Sequence, residues 1–335
     1  MSLDVKTKTG TDAAAQLRAA FDSGASVYAL VDPMLGEPLP LSVSDPSHAA
    51  SLQAAREQAW DRQVQAIELD RRIALAPALH PYLVTLGGHD DDWLASTLEM
   101  AQAERAAAQQ DGLMGGGLSP HRIAWLQSGR FASELARILA PLMHANTAGW
   151  PVAHYLRLAD RRVLDWLRQI IGDERIAAGM GSIRRWVYLD ARGRIAQLYN
   201  QPDGPHAEQP QPPRLSHPEW KLLLQGQMLH PVLARWLGEA GPHAPGPEVT
   251  DADLYRRAVG ALEHADQAAQ RWPARFTSAH DRSAWAVLSL LHPGLENNHR
   301  VTAMLDAPGN ADDPVETLQV LCGALHAALS EGTAS

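Results

Sequence analysis

The sequence predicts an α/β (α+β) N-terminal lobe with a mixed sheet, followed by an all-α C-terminal lobe. Two observations lead to this fold class. As far as residue 199, short apolar runs alternate with segments of helical periodicity, as they do where strands and helices are interleaved. After residue 218 only helical periodicity remains. We therefore expect an α/β domain over residues 1–200, a Pro-rich linker over 201–218 and a helical lobe over 219–335.

The expected linker is the segment QPDGPHAEQPQPPRLSHP, which lacks apolar periodicity and is crowded with Pro and polar residues. A boundary is also expected from length, because 335 residues exceed the roughly 100–200 residues of a typical domain.

Short apolar runs predict the strands of the N-terminal lobe. The first run stops at Asp32-Pro33, where proline removes a backbone donor. The run over 64–69 also fits a helix, but its shortness and the nearby Pro77 favour a strand. The last two runs flank a four-residue, Gly-containing connection that suits a β-hairpin. The predicted strands are 27–31, 64–69, 82–86, 123–127, 152–158, 185–189 and 194–199.

The predicted helices of this lobe have recognisable start and stop residues. Asp160 can cap a helix that carries a continuous apolar stripe from Val163 to Ile171, and Gly172 lies just past its end. Phe131, Leu135, Leu139 and Leu142 share one face of another helix. The predicted helices are 11–22, capped by Thr11 or Asp12, and 49–60, 91–109, 131–142 and 161–171.

Helical periodicity predicts four helices in the C-terminal lobe, over 219–237, 251–272, 283–291 and 314–329. Several tryptophans fit either the core or a protein interface, and we take the core as the default. They are Trp60, Trp93, Trp220, Trp236, Trp272 and Trp285.

Charge and targeting patterns exclude two classes of partner. The formal net charge is -9, and no run of Lys or Arg exceeds two residues. The chain therefore lacks the basic stripe that neutralises phosphates in nucleic-acid binding. No stretch approaches 18 apolar residues, and residues 1–10 lack the apolar region of a signal peptide. The sequence thus predicts a cytoplasmic protein without membrane insertion. Its single cysteine, Cys322, lies in an apolar pattern and is predicted to be buried.

Motifs for catalysis or cofactor binding are incomplete. Gly115-Gly116-Gly117 lacks the Lys and Ser or Thr of a phosphate-binding loop, and Ser182 lacks the second glycine of a nucleophile elbow. The run His89-Asp90-Asp91-Asp92 could hold a metal, but carboxylates at a helix start more simply meet the helix dipole. We predict no cofactor, no metal and no catalytic residue.

Three stretches of the first lobe resemble a known family in order and spacing. They are YALVD at 28–32, HPYLV at 80–84, and YLRLADRRVL at 155–164 with residues 181–188. Between about residues 25 and 195 the chain resembles the type VI secretion effector adaptors (Tap or TEC chaperones), once labelled domain of unknown function 4123. The Arg–Asp–Trp pattern of the family is matched here by Arg157, Asp160 and Trp186. The chain departs at Arg161, where the family more often has Pro, a residue favoured at a first helical turn.

The resemblance implies a role. Such adaptors bind one toxic effector and deliver it to the VgrG spike without catalysis. The matched residues, which we expect to be structural, are Tyr28, Asp32, Pro81, Arg157, Asp160 and Trp186. The effector-binding residues stay unassigned. The helical lobe lies outside the resemblance, and we hypothesise that it adapts the protein to its own effector.

Two other classes of function stay open on the sequence alone. A metal-dependent hydrolase could assemble scattered His and Asp residues in space, and stoichiometric bound metal would support it. An immunity or structural protein of the same secretion cluster is the other alternative, which gene order would discriminate.

Overall fold

The computed structural model describes residues 13–34, 36–43, 45–110, 122–145, 154–200, 213–240, 245–246, 248–307 and 316–331. The chain divides into two compact units, Met1–Arg105 with Pro120–Leu224 and Ala106–Ser119 with Gln225–Ser335.

A six-stranded sheet forms the centre of the first unit. Its strands are β1 (Ser26–Val31), β2 (Val64–Ala66), β3 (Tyr82–Gly87), β4 (Ile123–Ser128), β7 (Ile183–Leu189) and β8 (Ile195–Tyr199); β5 (His144–Ala145) and β6 (His154–Tyr155) pair separately. The order in the sheet is β2-β3-β1-β4-β7-β8. The predicted fold class is confirmed. The expectation of a mixed sheet is corrected, because every described pairing is antiparallel.

Helices cover both faces of this sheet. They are α1 (13–19), α2 (Ala49–Trp60), α3 (Asp92–Gln110), α4 (Ala132–Leu142), α5 (Arg161–Ile171) and α6 (Asp173–Ala177). Along β1, Val27, Ala29 and Val31 face a core that includes Leu17 of α1 and Leu98 of α3. The intervening residues of β1 face a second core, to which α4, α5 and α6 contribute. The alternation follows from the period of two along a strand.

Three details differ from the sequence prediction. The run 64–69 is a strand only over Val64–Ala66. Within the predicted strand 152–158, only His154 and Tyr155 are in a described strand, and 152–153 lie outside the described residues. Phe131 is 80% exposed, because it is the N-cap of α4 and precedes the helical face that is buried.

The second unit is helical. It contains most of α7 (His217–Glu239), with α8 (Asp251–Arg271), α9 (Ala279–Leu291), α10 (His299–Asp306) and α11 (Leu318–Glu331). Helix α8 packs on α9, and both α9 and α10 contact α11. The predicted helix 283–291 starts earlier, at Ala279, because Ser278 and Asp281 form a capping box. Helix α10 was not predicted; Asn298 caps this short helix.

The division between the units falls between Leu224 and Gln225, inside α7, whereas the sequence suggested the segment 201–218. Residues 201–212 lie outside the described residues. The end of that segment is helical, since α7 already begins at His217. There Ser216 and Glu219 cap the helix reciprocally: the Ser216 amide donates to Glu219 Oε2 at 2.7 Å, and the Glu219 amide donates to Ser216 Oγ at 3.4 Å.

Candidate functional site

Three of the family-motif residues meet where β1 ends. Asp32 follows β1, Arg157 follows β6, and Asp160 precedes α5. Arg157 donates to Asp32 Oδ2 from Nε at 3.0 Å and from Nη2 at 2.8 Å. Its Nη2 also lies 3.4 Å from Asp160 Oδ2. The cluster thus ties the end of the central strand to the start of a helix that packs on the sheet.

Asp160 has a second role as the N-cap of α5. Its Oδ1 accepts from the amide of Arg162 at 3.0 Å, which satisfies one of the free N–H groups of the first helical turn. The Arg162 side chain returns to the same carboxylate, with Nε 3.0 Å from Oδ1 and Nη2 2.7 Å from Oδ2. This paired geometry fixes the planes of both groups.

Burial and charge act against each other in this cluster. Burial raises the pKa of Asp32, and neighbouring Asp160 raises it further, whereas Arg157 lowers it. For Arg162, burial lowers the pKa, but Asp160, Asp32 and Glu104 together raise it above the ordinary value. The carboxylates of Asp32 and Asp160 are both almost inaccessible to solvent. A guanidinium lies against each carboxylate and offsets part of the cost of its burial, although the net effect on Asp32 is a raised pKa.

The hydroxyl of Tyr155 lies close to these charges. Burial raises its pKa well above the ordinary value, and the charge of Asp32 adds to the shift. Within the part of the chain that the structure describes, this hydroxyl is buried and has no hydrogen-bond partner. Sequence reasoning had included Tyr155 only as part of the motif.

A second buried ion pair extends the network to α3. Arg161 is fully buried, and its Nη1 lies 3.2 Å from both Glu104 Oε2 and the Ile123 carbonyl oxygen. Its Nη2 donates to the Ala101 carbonyl at 2.8 Å. Arg122 donates from Nε to the other oxygen of Glu104 at 3.0 Å. Arg161, the position that departs from the family pattern, therefore connects α5 with α3 and β4.

Sequence reasoning missed Glu104, although a signal for it existed. Leu94, Leu98 and Ala101 are buried at helical spacing in α3, and Glu104 continues that stripe three residues later. A carboxylate on an apolar helix face requires a buried cation as partner. The sequence does not indicate which of the arginines that cation is.

The other family-motif residues lie apart from this cluster, in the core. The hydroxyl of Tyr28 donates to the Arg130 carbonyl oxygen at 2.7 Å, which holds the segment after β4. Pro81 precedes β3, and its carbonyl oxygen accepts from the amide of Ile67 at 2.8 Å. Trp186 is fully buried on β7. The expectation that the motif is structural stays a prediction, with these contacts as its physical basis.

The remaining candidates have local roles. Asp91 accepts from the amide of Trp93 at 2.8 Å at the start of α3, as expected of a cap, and pairs with Arg62 at 3.5 Å. Cys322 is buried. The Gly115–Gly117 segment lies outside the described residues. Among the residues that are described, no group of three or more His, Cys, Asp or Glu could hold a metal ion.

Most of the six tryptophans belong to the core, as predicted. Those that are less than a tenth exposed are Trp60, Trp220, Trp236, Trp272 and Trp285. Trp93 is half-buried against Trp60, with ring centroids 5.3 Å apart. Among the described residues, the large apolar side chains that are most exposed to solvent are instead Phe131, Tyr199, Leu222, Leu224 and Val320.

Comparisons of the chain with protein-family models, with curated proteins and with solved structures gave no match. None of the helices in the described ranges has the length and apolar character needed to cross a bilayer.

Proposed function

We propose that the protein is a cytoplasmic adaptor of a type VI secretion system. It binds one toxic effector and loads it onto the VgrG spike, and it catalyses no reaction. The proposal rests on the resemblance over residues 25–195. The observation that carries it is the contact between motif segments that are far apart in sequence, since Asp32 of the first stretch binds Arg157 of the third.

The contacts made by the motif residues support this function. The arginines of the cluster are engaged with carboxylates inside the protein, so their geometry maintains the fold. A recognition scaffold needs such rigid support, while its partner-binding residues lie on the surface and differ between homologues. Phe131 and Val320, which are 80% and 64% exposed, are apolar contacts of the kind that partner proteins cover.

Co-purification tests the proposal directly. The full-length tagged chain is expressed with the protein encoded immediately downstream, with the VgrG protein of the same cluster, and with an effector from an unrelated cluster as the control. We expect a stable complex with the first two and none with the control. Mass spectrometry of the effector should show an intact, unmodified chain. Cleavage or modification of the effector, or failure to bind both cognate proteins, would refute the adaptor function.

A metal measurement on the same sample distinguishes the metal-dependent hydrolase from the adaptor. Metal analysis of the purified full chain should find far less than one metal ion per chain. A stoichiometric ion that resists dialysis would favour the hydrolase over the adaptor.

We further propose that the second unit contributes to the choice of effector, because it lies outside the family resemblance. Hydrogen exchange of the full chain with and without its effector tests this. The expected result is protection within α8–α11 in addition to the first unit. Protection confined to the first unit would contradict the proposal for the second unit and leave the adaptor function intact.

A further inference from the structure

The two edges of the central sheet differ in how their backbone groups are satisfied. At one edge, β2 has only three residues, and the amide of Val64 donates to Glu57 Oε1 at 3.4 Å. The carbonyl oxygen of Ala66 accepts from the Gln65 side chain at 3.1 Å. The backbone N–H and C=O groups of Val64 and Ala66 point away from β3. This follows because Gln63 and Ile67, which alternate with them along the strand, hydrogen-bond to the β3 side. Side chains of α2 and of β2 thus satisfy two of the outward backbone groups of this short edge.

The other edge, β8, has no such protection in the part of the chain that the structure describes. The bonds Asn200 N to Arg184 O and Asp190 N to Arg194 O set the alternation along the β7–β8 hairpin. Residues with even numbers on β8 therefore bond to β7, and Ile195, Gln197 and Tyr199 direct their N–H and C=O groups outward.

No described residue bonds to the outward backbone groups of these three residues. Gln197 and Tyr199 are exposed, Tyr199 by 54%. The strand reads IAQLY and contains neither a charged residue nor Pro, the two kinds of residue with which edge strands commonly resist pairing.

We infer that β8 pairs with β8 of a second copy of this chain, antiparallel and centred on Gln197, which joins two sheets into one. In this register Gln197 lies opposite Gln197 of the other copy, and Ile195 lies opposite Tyr199. Each outward residue exchanges both hydrogen bonds with its opposite residue.

The strand is complementary to itself in this register. Ile195 opposite Tyr199 is a β-branched and aromatic pair, which is favourable across strands, and Ala196 meets Leu198 on the other face. The two Gln197 amides can hydrogen-bond to each other, and no charged residue of the strand opposes a like charge. A register shifted by one pair would place the polar Gln197 opposite Ile195 or Tyr199. The side chains thus favour the centred pairing.

The dimer is expected to be weak, because two five-residue edges bury less area than the roughly 1,200 Å² of a stable interface. Sedimentation of the full-length chain over a wide concentration range should show reversible dimer formation. Amide hydrogens of Ile195, Gln197 and Tyr199 should become protected from exchange as concentration rises. A chain that is monomeric throughout, or whose β8 amides are protected independently of concentration, would overturn the pairing and indicate another occupant of the edge.

Charge substitutions test the register. In Gln197→Glu, two carboxylates oppose each other at the centre, and we expect the dissociation constant to rise by up to about fivefold. The fold should be retained, because Arg185 Nη1, now 3.3 Å from Gln197 Oε1, can pair with the new carboxylate. Gln197→Lys should weaken self-association similarly, whereas an equimolar mixture of the two variants should associate more tightly than either alone. Failure of the mixture to recover association would refute the register.

Disulfide cross-linking between introduced cysteines tests the same register independently. Opposed Cα atoms at a hydrogen-bonded pair are about 5.5 Å apart, within reach of a disulfide. Gln197→Cys should therefore form a covalent dimer under mild oxidation. The matched control is Tyr199→Cys, whose two copies would be about 14 Å apart along the strands. Equal cross-linking of both variants, or none at position 197, would contradict the centred pairing.

Discussion

Arg157 directs two nitrogen atoms, Nε and Nη2, at the single Oδ2 atom of Asp32, at 3.0 and 2.8 Å, although 125 residues separate them. The Asp32 side chain is 1% exposed and the Arg157 side chain 26% exposed. The other oxygen, Oδ1, accepts from the amide of Met34 at 2.9 Å. The pair therefore fixes the chain just after β1 against the segment that leads into α5.

Loss of Arg157 should destabilise the first unit strongly. Arg157→Met leaves Asp32 buried without its closest cation, and we expect the free energy of unfolding to fall by about 3 kcal/mol. The double variant Asp32→Asn with Arg157→Met should lose less, because no carboxylate is then stranded. Urea denaturation followed by circular dichroism measures both.

The control for these variants is Arg72→Ala, which removes an exposed ion pair with Asp70. Its expected effect is within about 0.5 kcal/mol. A similar loss in Arg72→Ala and Arg157→Met would mean that burial of the Asp32–Arg157 pair does not increase its contribution to the free energy of unfolding.

Local signals in the sequence predicted much of the fold. The bounds of α2 agree with its apolar pattern, and Asp160 and Gly172 mark the two ends of α5 as predicted. These signals act between residues within a turn or two of each other. Strand alternation likewise distinguishes the two faces of β1 without knowledge of the neighbouring strands.

The contacts of the candidate site were less predictable. The resemblance named Asp32, Arg157 and Asp160, but nothing in the sequence placed Asp32 against the other two. Arg161 and Glu104 are 57 residues apart, and several other arginines could have served as the partner. The exposed edge of β8 depends on strand order and on which backbone groups face outward, so an apolar run alone could not identify it.

The pH dependence of stability should include a contribution from Glu219. Hydrogen bonds from Arg175 and from the Ser216 amide lower the pKa of Glu219 to about 2. Because the folded-state value lies below the unfolded value, the stabilisation is present above about pH 5 and is lost as pH falls toward 2. The groups are substantially solvated, so we expect no more than about 1 kcal/mol.

The measurement is the difference in unfolding free energy between the wild type and Glu219→Gln from pH 7 to the acid limit. The difference should shrink as pH falls. Glu263→Gln, which alters an exposed residue of α8, is the control and should show a difference near zero. A difference for Glu219→Gln that is constant with pH would contradict the assignment to the charge of Glu219.

Arg275 should be a main stabilising residue of the second unit. This side chain is 6% exposed, and its Nη2 donates to the carbonyl of Ala307 at 2.6 Å, just past the end of α10. Its Nη1 donates to the carbonyl of Glu316 at 2.9 Å, and its backbone carbonyl accepts from the Leu318 amide at 2.8 Å. The guanidinium thereby satisfies carbonyl groups that the end of a helix leaves free.

Arg275→Met should cost about 3 kcal/mol, because several buried carbonyl groups lose their donor. Hydrogen exchange should accelerate in α10 and α11, and Arg275→Lys should give an intermediate effect since one ammonium cannot reach all the acceptors. Arg256→Ala, at an exposed position of α8, is the control. Unchanged exchange in α10 and α11 in the Met variant would show that other contacts hold these helices.

Cys322 should react slowly with thiol reagents while the protein is folded. Burial raises its pKa to about 11, with a smaller opposing effect from Arg235. At pH 8 the thiolate fraction is then about 10⁻³, and the side chain is also nearly inaccessible. Labelling with a chromogenic disulfide should be slow in buffer and complete within mixing time in denaturant.

Under monomeric conditions Gln197→Cys supplies the matched control, with one rapidly labelled thiol at an exposed position and one slow thiol. Rapid labelling of the native wild type would mean that α11 opens readily, since the thiolate forms only when Cys322 reaches water.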